Sequence, residues 1–182
     1  MNAGSQDFPR ITTARLTLRR FEERDLTDLL DYRNDPEVER WQGWGSFNEE
    51  RGRQLIDTFM GCEIGLPGQD NAAQIAFELR STGRLVGDAM LQVSAEDPSI
   101  AIIGYTISPR HQRRGLGREG VSAVLAYAVP ALRLQRIEAS TLIDNVASAG
   151  LLTSLGFKHC PGAPTGEQRY RLETLEFRSL DI

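Results

Sequence analysis

The sequence predicts an α/β chain, of the α+β type, with a mixed, mostly antiparallel central sheet and helices on both faces. Three observations predict it. The order of segments is a strand, two helices, three strands of antiparallel type, and then an alternating run of strands and helices that ends in two strands. Two of the central strands are joined by the short turn Ser81-Thr82-Gly83, as a hairpin requires. The stretch Ile100 to Val129 passes from a β-branched strand through a glycine-bearing turn into an apolar helix.

Residues 1–10 are expected to be a loose N-terminus, since Met1 to Phe8 is polar and small without periodicity, and residues 11–182 form one domain. Ala14, Leu16 and Leu18 alternate with Arg15, Thr17 and Arg19, giving a first strand with one buried face. Leu26, Leu29 and Leu30 mark a helix from about Glu23 to Arg33, which Asn34-Asp35-Pro36 stops because the residue before proline leaves the helical region. Val38 to Phe47 is dense in rings. Trp41, Trp44 and Phe47 there either line a pocket or plug the end of the core. A second helix runs to about Met60, capped by Asn48, or by Ser46 in a capping box with Glu49. Gly61 to Asn71 is a loop, either a plain connection or a flap. Gln74 to Arg80 and Arg84 to Val93 are the hairpin strands, and Asp97-Pro98 turns the chain toward the strand beginning at Ile100. Pro130 bends or ends the next helix, Arg136 to Leu142 is a strand, and Asn145 starts a helix through Leu155. Gly156-Phe157 opens a short strand, and Gln168 to Phe177 supplies the last.

The turn Gln112-Arg113-Arg114-Gly115-Leu116-Gly117 is the organising feature. A helix that opens behind a glycine turn presents unpaired N–H groups and the positive end of its dipole, which together attract an anion. Arg110, Arg113, Arg114 and Arg118 crowd the same place, so the anion expected is multiply charged, such as a pyrophosphate. Gly115, Gly117 and Gly120 also spell the dinucleotide fingerprint. That reading is disfavoured. Ser108 to Arg114 separates strand from glycines, Glu138 stands at the start of its strand instead of the end, and too little chain follows for a doubly wound sheet.

Composition narrows the function classes. A chain of 182 residues is one domain by length, and its net charge of −4 argues against a nucleic-acid surface. Cys62 and Cys160 make neither a disulfide framework nor a zinc motif, so no metal is expected. There is no secretory leader or apolar stretch long enough to span a membrane, which makes a cytoplasmic protein without membrane partners the expectation.

The motifs go further. Gln112-x-x-Gly115-x-Gly117 after Ile107-Ser108-Pro109 resembles the acetyl-CoA loop of the GCN5-related N-acetyltransferase (GNAT) superfamily. Asp144-Asn145-x-x-Ser148 followed by Leu155-Gly156-Phe157 resembles the branch holding the ribosomal-protein N-terminal (alanine/serine) acetyltransferases. So does Thr13-x-Arg15-Leu16-x-Leu18-Arg19 with Asn34-Asp35-Pro36-Glu37-Val38. The resemblance implies a single-domain GNAT fold with a splayed cofactor cleft, and acetyl-CoA as cosubstrate. It implies an amine acceptor, a protein N-terminus or a small molecule, and leaves monomer and homodimer open.

By the same resemblance, backbone groups of Tyr105, Thr106 and Ile107 hold the pantetheine arm, with the side chains mattering less. Gln112, Arg113, Arg114, Gly115, Leu116, Gly117 and Arg118 hold the pyrophosphate, and Asn145 holds the arm. Trp41 and Trp44 are acceptor-side candidates. The tyrosine that many relatives carry on the helix after Asn145 is missing, Leu151 and Leu152 taking that turn, and the branch points to Ser148 as partner of the departing thiolate. Ser148 read alone is equally a first-turn helix residue, and Asn145 a cap. For a base, Glu138 and Asp88 are carboxylates inside apolar strands, where burial raises a carboxyl pKa, and Glu78 is a third. His111 adjoins the phosphate turn, and His159 has no evident role. A CoA-binding or partner-binding module of the same fold without catalysis is the alternative from another class, resting on the missing tyrosine.

Overall fold

The computed structural model describes residues 8–68 and 72–176. Its strands are β1 (Ile11–Thr12), β2 (Leu16–Arg19), β3 (Ala73–Leu79), β4 (Arg84–Val93), β5 (Ile100–Ile107), β6 (Arg136–Leu142), β7 (Lys158–Cys160) and β8 (Glu167–Glu173). The helices are α1 (Leu26–Arg33), α2 (Pro36–Gln42), α3 (Glu49–Gly61), α4 (Leu116–Ala131) and α5 (Val146–Ser154). The strands make one sheet in the order β1-β2-β3-β4-β5-β6-β8-β7. Every neighbouring pair is antiparallel except β5 and β6, which α4 joins as a parallel crossover. The mixed, largely antiparallel α/β class is therefore observed.

Side-chain alternation divides the core between the two faces. On one face Phe77, Ile103 and Ile137 pack with Val121, Val124 and Leu125 of α4 and Leu152 of α5. On the other, Ala76 and Leu85 meet Leu29 and Tyr32 of α1 and Ile56 and Phe59 of α3. The approach of α4 is close: a Cβ on Gly120 would stand 2.5 Å from the Phe77 ring, and one on Gly117 2.8 Å from Leu151. These two glycines are thus packing residues, which accounts for the false dinucleotide pattern.

Several expectations are corrected. Asp35-Pro36 ends α1 but also begins α2, a helix the sequence reading passed over: Asp35 accepts from the Glu37 N–H at 2.9 Å, and Pro36 fills the first turn, where a missing N–H costs nothing. Asn48 caps α3 by accepting from the Arg51 N–H at 2.8 Å, in place of a Ser46–Glu49 box. Phe8, expected in the loose end, is buried edge-on against Tyr127 at 5.2 Å between centroids, while residues 1–7 lie outside the described residues. The Gly61 to Asn71 loop is no flap over its described part, because Ile64 is buried in the core. Pro130 lies within the last turn of α4, and β8 gives way to a 3-10 turn at Thr174–Glu176, Phe177 falling outside the described residues.

Candidate active site

The site begins where a ladder stops. Parallel pairing of β5 with β6 covers Ile100–Arg136, Ala101–Ile137 and Ile102–Glu138, yet β5 continues to Ile107 and β6 to Leu142. The antiparallel pairing of β5 with β4 persists to Gly87–Ile107, so β5 stays with β4 while β6 diverges. Between them lies a cavity of about 800 Å³, lined by residues 103–107 of β5, residues 139–142 of β6, the first turns of α5, the loop before α4 and part of α2.

One end of the cavity is the phosphate-type turn. Gly115 caps α4 with φ +78°, a left-handed geometry that favours glycine, and Arg113 also sits at φ +57°. The Gln112 side chain donates to the Ile107 carbonyl at 2.9 Å, closing the turn onto the end of β5. His111, Gln112, Arg113, Gly115, Gly117 and Arg118 all line the cavity. Leu116 is instead buried in the core, and Arg114 stands outside the lining set. Burial, then the nearby Arg114 charge, hold the His111 imidazole below its ordinary pKa.

A second layer braces this turn. Glu119, one turn into α4, accepts from the Thr13 hydroxyl at 2.5 Å and from the Arg15 N–H and Nε at 2.7 Å each. Arg15 Nη1 donates in turn to the Arg114 carbonyl at 2.6 Å. Burial alone would raise the Glu119 carboxyl, but the hydrogen bonds from Thr13 and Arg15 outweigh it and hold the pKa below the usual value. No spacing in the sequence announces this contact across the fold. Thr13 and Arg15 were visible only as part of a motif.

At the α5 side, Asn145 caps the helix by accepting from the Ser148 N–H at 3.1 Å. Ser148 lines the cavity in that first turn, and its Oγ is 2.9 Å from the Tyr105 phenol, which also donates to the Ser148 carbonyl at 3.1 Å. Burial pushes the Tyr105 phenol up to about 12. Alternation along β5 was the available signal, since it puts Tyr105 with Ile103 and Ile107 on the side facing α4 and α5.

The opposite wall comes from α2. Glu37, Val38, Trp41 and Gln42 line it, and Gln42 donates to the Thr106 hydroxyl at 3.2 Å. Trp41 carries the Arg40 guanidinium at 4.2 Å from its ring. Trp44 is not part of the lining: its Nε1 donates to the Arg33 carbonyl at 3.2 Å, its ring lies 4.1 Å under the Arg33 guanidinium, and it packs edge-on against Phe47.

Neither carboxylate singled out as a base reaches the cavity. Asp88 is buried under α1, where it accepts from the Tyr32 phenol and pairs with Arg33 at 3.4 Å. Glu138 points to the strand pair β6/β8, within 3.9 Å of Arg136 and 3.7 Å of Arg171. Glu78 is held by Arg19 at 2.8 Å, Arg24 at 2.7 Å and Arg10 at 3.3 Å. All three are structural ion pairs. Among the described residues, Glu37 is the carboxylate that lines the cavity. His159 packs edge-on against Tyr170.

A family model described as an acetyltransferase (GNAT) domain matches residues 15–158. The chain belongs to the GNAT family. Its similarity to the uncharacterized N-acetyltransferase YoaA of Bacillus subtilis (strain 168) is 33% identity over 152 residues, 83% of this chain and 84% of the relative. In structure this acetyltransferase resembles a GNAT-family acetyltransferase from Bacillus anthracis, with TM-score 0.78 at 23% identity over 92% of this chain and all of that one. It also resembles the microcin C7 self-immunity acetyltransferase MccE, crystallised with acetyl-CoA and AMP, with TM-score 0.73 at 16% identity over 88% and 93% of the two chains. The protein is an N-acetyltransferase, and the GNAT family implies acetyl-CoA use. No helix among the described residues is long and apolar enough to cross a membrane.

Proposed function

We propose that this enzyme moves the acetyl group of acetyl-CoA onto a primary amine by direct attack on the thioester, with the cofactor arm seated between β5 and β6. The observation that carries the reading is the ladder ending at Ile102–Glu138 while both strands run on, which opens a cleft leading to the N-terminus of α4. The residues present fit such a group. Arg113, Arg118 and His111 supply positive or donating groups beside the free N–H groups of α4's first turn, suited to a pyrophosphate. The divergent edge of β5 from Ile103 to Ile107 faces the gap with backbone donors and acceptors, and Asn145 fixes the start of α5 beside it. Acetyl-CoA supplies the activated acyl group.

The chain's own residues then have three tasks. Backbone N–H groups at the end of β5 polarise the carbonyl to be attacked. Ser148 presents its hydroxyl to the sulfur as the C–S bond breaks and the C–N bond forms, the proton lost from nitrogen passing to water. Glu37 and Trp41, across the cleft, receive the acceptor, and a carboxylate at that wall favours docking of a cationic amine, which gives up a first proton to water before it attacks. A protein N-terminus, whose amine titrates near 8, needs less help from a base than a lysine, and this fits a lining in which Glu37 is the one carboxylate among the described residues. The resemblance of Asn145-x-x-Ser148 and Leu155-Gly156-Phe157 to the ribosomal-protein branch points the same way, to a protein N-terminus.

Thermal unfolding with acetyl-CoA, CoA and NAD in parallel tests the cofactor. At about 100 times its dissociation constant a ligand adds roughly 2.7 kcal/mol, so both CoA compounds should raise Tm and NAD should not. Arg113→Glu with Arg118→Glu should erase that shift while leaving the unliganded Tm near wild type, both side chains being exposed. A shift with NAD, or an undiminished CoA shift in the double variant, would refute the placement.

A further inference from the structure

We propose that Tyr105 is a positioning residue for Ser148: its phenol donates to Ser148 Oγ and leaves the serine's own proton free to point into the cleft. The inference rests on the reading of Ser148 as partner of the departing sulfur. Its foundation is geometric. The phenol oxygen stands 2.9 Å from Ser148 Oγ and 3.1 Å from the Ser148 carbonyl, and both residues line the cavity between β5 and α5.

A hydroxyl in the first turn of a helix is otherwise a free rotor that bonds back to its own helix or to water. Such a rotor is a poor donor to a developing charge, because it must first be turned. The phenol has one proton and two Ser148 oxygens in range, so it is shared in a three-centre bond, with Oγ at 2.9 Å the nearer acceptor and the carbonyl at 3.1 Å the farther. Of the two hydroxyls the phenol is the more acidic, which favours Ser148 Oγ as the accepting partner of that pair. Burial pushes Tyr105 up to about 12, which keeps the phenol protonated and donating throughout the neutral range. With Oγ occupied on that side and the Ser148 N–H held by Asn145, the serine proton is directed away from Tyr105 toward open space in the cleft. Tyr105 makes no bond to sulfur or acetyl and transfers no proton in this scheme. It fixes an orientation, and it does so from the strand that also offers backbone to the cofactor arm.

The test uses CoA itself on the full chain, so no acceptor need be known. The ionisation of the CoA thiol in the enzyme–CoA complex is followed by ultraviolet thiolate absorbance against pH, in wild type, Tyr105→Phe, Ser148→Ala and the double variant, with CoA affinity measured by calorimetry alongside. A charge-assisted donor to the thiolate raises the ionisation constant roughly ten- to hundredfold, so Ser148→Ala should lower it by that factor. Tyr105→Phe should lower it roughly three- to tenfold with CoA affinity changed less than twofold, and the double variant should match Ser148→Ala alone. No change in Ser148→Ala would refute the role of Ser148 itself. A loss in Ser148→Ala with none in Tyr105→Phe, or a gain there, would overturn the role of Tyr105 only. So would full additivity in the double variant, since a residue acting through Ser148 has nothing to act through once the hydroxyl is gone.

Discussion

Removing the Arg15 side chain should weaken both the fold and the cofactor turn, by amounts the geometry sets. Arg15→Ala deletes the 2.7 Å pair to Glu119 and the 2.6 Å bond to the Arg114 carbonyl, while the bonds to Glu119 from Thr13 and from the backbone N–H of residue 15 survive. The Arg15 side chain is 47% exposed, so the ion pair is screened and contributes about 0.2–1 kcal/mol. The bond to the Arg114 carbonyl adds about 0.5–1.5 kcal/mol. Together the loss is roughly 1–2 kcal/mol, or about 2–8 °C in Tm for a domain of this size. The effect on CoA has a separate cause. Without Arg15, Glu119 is an unneutralised anion in the opening turns of α4, competing for the same dipole as the pyrophosphate, an effect of about 0.3–1 kcal/mol. Loosening of the turn at Arg114 adds to it, so the dissociation constant should rise roughly three- to tenfold. Calorimetric titration with CoA and a melting curve read the two effects. The double variant Arg15→Ala with Glu119→Gln separates them: affinity should recover in part, because the stray charge is gone, whereas Tm should not. If Arg15→Ala lowers Tm but leaves CoA affinity unchanged, the network braces the β1–β2 hairpin alone and has no bearing on the turn.

The same carboxylate governs a pH limb. Because the hydrogen bonds from Thr13 and Arg15 hold the folded Glu119 carboxyl below its ordinary pKa, its contribution is complete above that ordinary value and is lost as pH falls toward the lower, folded one. Urea unfolding of Glu119→Gln between pH 6 and 3 should therefore show less acid destabilisation than wild type, and parallel curves would show that the contacts seen at Glu119 carry no net linkage. Asp88→Ala distinguishes a base from a buried pair: it strands the Arg33 guanidinium, 8% exposed, and should cost about 3–5 kcal/mol of stability while the folded fraction still binds CoA. Unchanged stability with lost turnover would return Asp88 to the chemistry.

What the sequence made legible was whatever is local. The strand, turn and helix around Gly115 lie in one continuous stretch, so the positive φ, the open N-terminus of α4 and the lining residues Arg113, Gly117 and Arg118 could be read before any coordinates. Asn145 and Ser148, three residues apart in one helical turn, were legible for the same reason. The misplacements share a different logic. Asp88 and Glu138 sit in apolar strands, a pattern compatible with a tuned base or with an ion pair, and the deciding partners, Arg33 from α1 and Arg171 from β8, are distant in sequence. Trp44 was one of three rings with no period to say which faced the cleft, and a backbone carbonyl at Arg33 decided it. The hidden α2 was an error of local reading, since Asp35-Pro36 is a start signal as well as a stop, and missing it hid Glu37 and Gln42 as wall residues. Tyr105 is the instructive case. Many relatives carry a phenol on the helix after Asn145, where this chain has Leu151 and Leu152. The fold supplies a phenol to Ser148 from β5 instead, 43 residues away in the chain and 2.9 Å away in space. A phenol in the cleft can be furnished by either element that walls it, so the loss of a side chain from one element says little until the facing element has been placed.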